Sequence, residues 1–219
     1  MKKETKNFFL AASVLSAFFL WTAAISFVDV KAIGPEGSKV GFAAVNGIFH
    51  NFTGTNLWLY NLTDWLSLIP LGFIIGFGIL GLVQWIKRRS LKKVDYSIFV
   101  LGGFYIAVMA VYVFFEVFPV NYRPVLIEGV LEASYPSSTT MLVICVMSTA
   151  LMQLNSRIKS VVIKRIINIA IIIFIAFMVI ARLLSGVHWL TDIIGGVLVS
   201  AGLVMMYSSF CKIKKSDLE

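Results

Sequence analysis

The apolar residues of this 219-residue chain fall into long uncharged runs separated by short charged clusters. The runs cover residues 8–28, 65–86, 96–115, 133–156, 166–181 and 193–211. A helix needs about 20 apolar residues to cross the hydrocarbon core of a bilayer. The pattern therefore predicts an all-α fold, an integral membrane bundle of six transmembrane helices in one domain over residues 1–219. The helices are expected near residues 8–28, 65–86, 96–116, 137–156, 166–184 and 188–211.

One long segment, residues 29–64, interrupts these runs. Phe42, Val45, Phe49 and Phe52 recur in it at the spacing of one helical face. This spacing predicts an amphipathic helix that lies in the membrane interface. Such a helix would either only anchor the segment or act as a lid that guides a lipid toward a site.

The chain has a net charge of +8, and the distribution of its basic residues predicts how the bundle is oriented in the membrane. With a cytoplasmic N-terminus, fifteen of the 19 lysines and arginines lie on the cytoplasmic side, and such a bias sets topology. Both termini are therefore predicted to be cytoplasmic. The cations do not gather on one domain, so the charge favours a membrane partner and no nucleic acid. The four cations left outside are Lys31, Lys39, Arg123 and Arg182.

Three polar segments fall at the outer level of this topology. Residues 116–124 leave the third helix, residues 135–140 open the fourth, and residues 182–192 join the fifth to the sixth. Arg123 and Arg182 are suited to bind phosphate oxygens through two parallel hydrogen bonds. The agreement of the three segments on one side predicts a functional site there.

Two further features of these segments fit phosphate chemistry. Ser137 and Ser138 follow Pro136 at a predicted helix start, where free N–H groups bind anions. His188 can attack phosphorus if its other ring nitrogen is held by an acceptor. Asp192 lies four residues on and shares a face with His188 if the sixth helix begins there. We expect His188 and Asp192 to be catalytic and a phosphorylated lipid to be the substrate.

These residues resemble the motifs of the type-2 phosphatidic acid phosphatase superfamily of integral membrane phosphatases. The family pattern is Lys-x6-Arg-Pro, then Pro-Ser-Gly-His, then Ser-Arg-x5-His-x3-Asp. The chain matches it at Arg123-Pro124, at Pro136-Ser137, and at Arg182, His188 and Asp192. The resemblance implies an outward active site in a bacterial plasma membrane, with no cofactor and no required metal. It also implies a phosphohistidine on His188, which Asp192 orients, with the phosphate held by Arg123, Arg182 and Ser137.

The chain departs from the family pattern at several positions. Glu116 stands at the position of the first-motif lysine, and Thr139 at that of the second-motif histidine, the family's general acid. Ser138 replaces the glycine, and Ala181 replaces the first serine of the third motif. A threonine hydroxyl cannot replace an imidazolium as a proton donor, and general acids typically contribute about 10²–10⁴ in rate.

Three explanations of these departures are open. A diphosphate substrate releases phosphate, a far better leaving group than a lipid alcohol, although Glu116 would repel so much negative charge. Glu116 could instead be protonated at the membrane edge and serve as the acid. The chain could also hydrolyse poorly, with Glu116 paired to Arg123 or to a cationic headgroup.

The predicted function is a membrane phosphatase that hydrolyses a lipid phosphate or a polyprenyl diphosphate at the extracytoplasmic face through a phosphohistidine. The alternative is a catalytically weakened homologue that binds, transports or transfers the phosphate group of a phospholipid.

Overall fold

The computed structural model describes residues 3–216 and the side chains of residues 6–212. Lys2, one of the predicted cytoplasmic cations, lies outside the described residues. Within residues 3–216 the chain forms eight α-helices. They are α1 (Lys3–Phe27), α2 (Ala43–Thr53), α3 (Leu57–Leu66), α4 (Leu68–Arg88), α5 (Tyr96–Val117), α6 (Ser138–Arg157), α7 (Val161–Leu184) and α8 (Leu190–Ser216).

Six segments of the described chain are long and apolar enough to cross a membrane. Large apolar side chains cover their outer faces, as in Phe19 and Leu20 of α1 and Ile106 of α5, which are all more than 60% exposed. Lipid tails would cover such faces, and the predicted six-helix membrane bundle is thereby confirmed. The six segments are Lys6–Phe27, Leu57–Arg88, Tyr96–Val117, Ser138–Arg157, Val161–Leu184 and Leu190–Lys212.

The segment between α1 and α4 contains two helices. α2 covers Val45, Phe49 and Phe52 of the predicted interfacial helix, whereas Phe42 directly precedes it in a left-handed conformation. Val45, Ile48 and Phe52 are exposed on α2.

α3 is not anticipated from the sequence. Asn56 caps its start by accepting a hydrogen bond from the Leu59 N–H at 3.0 Å. At its other end α3 is separated from α4 by one residue, Ser67.

α8 forms the centre of the bundle and packs against α1, α6 and α5. Phe18 of α1, Phe115 of α5 and Tyr135, just before α6, bring their rings together beside α8. The Tyr135 hydroxyl lies 2.7 Å from Thr22 Oγ1. These contacts fix the chain before α6 against α1 and α5.

Glycines on α8 allow the start of α6 to approach closely. A Cβ on Gly195 would lie 2.3 Å from the Tyr135 ring, and one on Gly196 would lie 3.2 Å from the Ser137 carbonyl oxygen. The backbone N–H of Ser137 donates to the Asp192 carbonyl oxygen at 3.1 Å. The close approach therefore places residues 134–138 directly beside the first turn of α8.

The polar segments named above meet at one end of the bundle, which we call the site end. The ends of α5 and α7 and the starts of α6 and α8 lie there. At the opposite end, Asp95 accepts hydrogen bonds from Gln84 at 2.8 Å and Arg88 at 2.9 Å, which ties α5 to α4.

The loop between α7 and α8, residues 185–189, rests on the chain before α3. The Asn56 N–H donates to the Ser185 carbonyl oxygen at 2.9 Å. Gly186 adopts a φ of +66°, and a Cβ there would lie 1.8 Å from the Gly54 carbonyl oxygen. Only glycine suits this position, because both the backbone conformation and the space exclude a side chain.

We expect Gly186→Ala to destabilise the protein more than Gly129→Ala. Gly129 has a φ of +79° but no heavy atom within 4 Å of a built Cβ, so it isolates the backbone strain. The strain is worth about 1–2 kcal/mol, and overpacking adds about 1–3 kcal/mol at Gly186. Thermal unfolding of the two variants in the same detergent measures the difference, and equal melting temperatures would contradict this packing.

Candidate active site

His188 lies in the loop between α7 and α8 and is 3% exposed. Its Nδ1 lies 3.1 Å from the Ser134 carbonyl oxygen and 2.9 Å from Ser134 Oγ. A carbonyl oxygen only accepts hydrogen bonds, so Nδ1 carries the ring hydrogen. The Nε2 atom is then the free lone-pair nitrogen, and it is buried without a hydrogen-bond partner among the described residues.

The surroundings of His188 favour its neutral form. Burial lowers the pKa of the imidazole well below its usual value, and the positive charges of Arg123 and Arg182 lower it further. At neutral pH the ring is therefore uncharged. A neutral imidazole with a free Nε2 is the form that can act as a nucleophile.

Asp192 lies in the first turn of α8 and is fully buried. Its Oδ2 accepts from Ser134 Oγ at 2.6 Å and from the Trp189 N–H at 3.0 Å. Its Oδ1 accepts from Asn121 Nδ2 at 3.0 Å. Within the described residues Asp192 makes no hydrogen bond to His188. The structure thus places Ser134 between the two residues that the sequence analysis pairs directly.

Ser134 joins the carboxylate to the imidazole in a defined direction. Because its hydroxyl donates to Asp192, its oxygen is left to accept from the Nδ1–H of His188. The order is therefore imidazole N–H, serine hydroxyl, carboxylate. Positive charge that develops on the ring can be stabilised by Asp192 through this link.

Arg123 is 8% exposed and is held by the segment that follows α5. Its backbone N–H donates to the Glu132 carbonyl oxygen at 3.0 Å, and its Nε lies 2.9 Å from Glu132 Oε2 in an ion pair. Its Nη1 is buried with no hydrogen-bond partner among the described residues. An unpaired guanidinium nitrogen beside His188 is suited to bind a phosphate oxygen.

Arg182 lies in the last turn of α7 and is 2% exposed. Its Nη1 donates to Asp64 Oδ1 at 2.8 Å and to Thr63 Oγ1 at 3.1 Å, both on α3. Its guanidinium carbon lies 4.6 Å from the centre of the Tyr60 ring, and that of Arg123 lies 5.7 Å from the same ring. Tyr60 therefore contacts both arginines, and part of the Arg182 guanidinium is already bound to Asp64.

A cavity of about 250 Å³ opens beside His188. A larger cleft of about 580 Å³ between α4 and α5 is lined mainly by apolar side chains and is remote from these residues. We take the smaller cavity as the candidate active site because both His188 and Arg123 line it. Its polar lining comprises Glu116, Arg123, Glu132, Ser134, Ser138 and His188.

The remaining predicted residues lie around this cavity without lining it. Arg182 and Thr139 are buried outside the lining. Ser137 is also buried, and its Oγ accepts from the Thr140 N–H at 3.5 Å as the cap of α6. Ser138 is the serine of this pair that lines the cavity. Residues 3–216 contain no group of three or more His, Cys, Asp or Glu that could hold a metal ion.

Four residues of this arrangement are absent from the sequence-based prediction. Ser134 and Glu132 precede the second motif, and Asn121 lies within the first motif's spacing, but none of these single polar residues forms a pattern. Asp64 lies 118 positions before its partner Arg182. Asp64 is a charged residue in an otherwise apolar stretch, and charges at membrane depth usually have partners. That position alone could have indicated that Asp64 has a partner.

Comparisons with known proteins give a family match for part of the chain and a match for its fold. The family model described as PAP2 superfamily matches residues 118–214, which contain Arg123, Ser134, His188 and Asp192. A crystal structure described as the first transmembrane PAP2 type phosphatidylglycerolphosphate phosphatase from Bacillus subtilis is similar in fold. The two structures align with a TM-score of 0.58 and 18% sequence identity, and the alignment covers 94% of this chain and 96% of that chain. No significant match was found among curated proteins.

Residues 118–214 match the PAP2 superfamily, the family whose motifs the sequence resembles. The chain shares the helical fold of a transmembrane phosphatase of that superfamily and is an integral membrane protein.

Proposed function

We propose that the protein is a phosphatase that hydrolyses a lipid phosphate or a polyprenyl diphosphate through a phosphohistidine on His188. The observation that carries the proposal is the state of that side chain. The imidazole is buried, its Nδ1–H is bonded to Ser134, and its Nε2 has no hydrogen-bond partner among the described residues. His188 lines a cavity together with Arg123. No other histidine lines this cavity in the described part of the chain.

The first step is attack of Nε2 on phosphorus. A P–N bond forms, the bond from phosphorus to the leaving oxygen breaks, and the leaving oxygen takes up a proton from solvent. Arg123 and the Ser138 hydroxyl bind the phosphoryl oxygens, whose charge rises in the transition state. Ser134 and Asp192 stabilise the positive charge on the imidazole.

In the second step water attacks the phosphohistidine. The P–N bond breaks, inorganic phosphate leaves, and the electron pair returns to Nε2, which restores the neutral ring. The link through Ser134 to Asp192 holds the ring in one orientation during both steps, so that the same nitrogen is the nucleophile and the leaving group.

The leaving group is the point at which this site differs from its family pattern. Thr139 occupies the position of the family's general acid and is buried outside the cavity lining. A polyprenyl diphosphate would need little proton donation because it releases phosphate. A lipid monophosphate would need a proton from another source, with water or a carboxylic acid lining the cavity as candidates.

We place the site end at the extracytoplasmic face. The basic residues support this orientation, because the connections at the opposite end of the bundle carry most of the cations. Both termini would then be cytoplasmic, in a plasma membrane. A substrate would enter the cavity from the outer leaflet, beside the end of α5.

A second candidate function is binding or transfer of a phospholipid phosphate by a catalytically weakened homologue. The ion pairs favour it, since Arg182 is bound to Asp64 and Arg123 lies against Glu132. A phosphate would have to compete with these carboxylates for both arginines. Binding that survives loss of His188 but not loss of Arg123 would identify this function.

We expect phosphate release by the purified protein in detergent to depend on His188. A polyprenyl diphosphate, a polyprenyl monophosphate and phosphatidate form the substrate panel. His188→Ala should reduce release to background, because it removes the attacking nitrogen. His50→Ala is the matched control: it changes the chain's other histidine, which packs against Trp189 outside the cavity.

The control should retain activity within about threefold, since surface and interfacial changes away from the site usually have small effects. Release that persists in His188→Ala would overturn the phosphohistidine proposal. No release from any of the three lipids by the folded wild-type protein would favour the binding function instead.

We expect kcat/KM to fall at acidic pH with an apparent pKa below the ordinary histidine pKa of about 6.5. The pKa of His188 is lowered by burial and by the two arginines, so the ring stays neutral to a lower pH. Below that pKa Nε2 is protonated and the rate falls. Profiles with two substrates of different phosphate pKa separate the enzyme's titration from the substrate's. An enzyme pKa at or above about 6.5 would contradict the derived environment.

A further inference from the structure

The polar lining of the cavity beside His188 contains two chemically different sets of residues. One set comprises the phosphate-binding residues of the proposed function, His188, Arg123 and Ser138. The other comprises two carboxylates, Glu132, which is paired with Arg123, and Glu116. A site for a simple phosphate gains nothing from an unpaired carboxylate, because its charge repels the phosphate oxygens.

The charged side chains that line the cavity carry a net negative charge, which opposes the binding of a phosphate. Arg123 contributes one positive charge, Glu116 and Glu132 contribute two negative ones, and His188 is neutral. Glu132 forms an ion pair with Arg123 at 2.9 Å, whereas Glu116 has no ion pair among the described residues. The Glu116 carboxylate is therefore left without a cation at the mouth of a site that binds anions.

Three aromatic residues line the same cavity as this unpaired carboxylate. Tyr112 and Phe115 lie on α5 four residues and one residue before Glu116, and both line the cavity with it. Tyr135 lines the cavity from the start of α6. Aromatic faces together with a carboxylate are the groups that proteins use to bind an ammonium ion.

We propose that the cavity binds a phosphate ester that carries an ammonium group a few bonds from phosphorus. Arg123, Ser138 and His188 contact the phosphate, and Glu116 with the rings of Tyr112 and Phe115 contacts the ammonium. The inference rests on the proposed function, because it places the phosphate at His188. It supplies the cation that Glu116 lacks and makes Glu116 a specificity-determining residue.

The size of the cavity agrees with a headgroup. At about 250 Å³ it is smaller than the roughly 300–1,000 Å³ of sites that enclose a drug-sized ligand. The lipid chain would lie outside, against the exposed apolar faces of α5, where Val113 and Val117 are 48% and 63% exposed. The ammonium can belong to the alcohol of a lipid monoester or to the headgroup of a diester, and the recognition chemistry is the same.

The test compares kcat/KM for matched synthetic lipids in mixed micelles. One pair is a long-chain 2-aminoalkyl phosphate and the alkyl phosphate of equal length. The other is a lipid phosphodiester with an aminoethyl headgroup and its hydroxyethyl counterpart. We expect the wild-type protein to favour the ammonium member of one pair at least about tenfold, as for a charge-assisted contact. The pair that shows the preference identifies the source of the ammonium.

Variants of Glu116 assign the preference to this carboxylate. Glu116→Gln should remove most of it, by raising KM for the ammonium lipid and lowering KM for the neutral member, because a charge that repels phosphate is lost. Glu116→Lys should reverse it. Glu128→Gln is the matched control, since Glu128 is exposed in the loop before α6 and outside the cavity lining. It should keep the wild-type preference.

Each outcome separates this inference from the proposed function. Hydrolysis that depends on His188 but shows no ammonium preference in either pair would overturn the inference and leave the phosphatase proposal intact. A preference unchanged in Glu116→Gln would also overturn it. If no lipid is hydrolysed, the phosphatase proposal fails. Thermal stabilisation by the matched lipids then decides the inference, which requires greater stabilisation by the ammonium member.

Discussion

The geometry of the site depends on the satisfaction of one buried carboxylate. Asp192 is fully buried at the start of α8. A buried carboxylate without hydrogen-bond or ion-pair partners would destabilise the fold by several kcal/mol. Ser134, Asn121 and the Trp189 N–H all donate to it. These donors come from the segment between α5 and α6 and from the loop before α8. Satisfying the carboxylate therefore draws the separate segments together and sets the position of Ser134.

The nucleophile follows from this arrangement. Ser134 gives its hydroxyl hydrogen to Asp192 and presents its hydroxyl and carbonyl oxygens to Nδ1 of His188. That fixes the tautomer, and with it the free Nε2 at the cavity. The arginines add to the effect in two ways: in the proposed function they bind phosphate, and their charge lowers the pKa of His188 and favours the neutral imidazole. Asp64 and Glu132 form ion pairs with these arginines and so balance part of their positive charge.

Most of the fold could be predicted from the sequence, because uncharged runs of bilayer length permit few structures other than transmembrane helices. The order of the six transmembrane helices was also enough to predict that Arg123, His188 and Asp192 lie at the same end of the bundle. The link through Ser134 could not be predicted, since the spacing of His188 and Asp192 suggests direct contact. Only the close packing of residues 134–138 on Gly195 and Gly196 places a serine between them. The pairing of Arg182 with Asp64 depends on α3, whose apolar residues could not be told from an interfacial loop.

The most direct test of this account is to trap the phosphoryl group on the protein. The purified protein is mixed with a substrate labelled at the phosphorus, quenched in alkali within milliseconds, and digested for mapping of the label. The account predicts an acid-labile label on the peptide that contains His188, absent in His188→Ala and present in His50→Ala. Substrate turnover with no label on His188, or with the label on another residue, would contradict it.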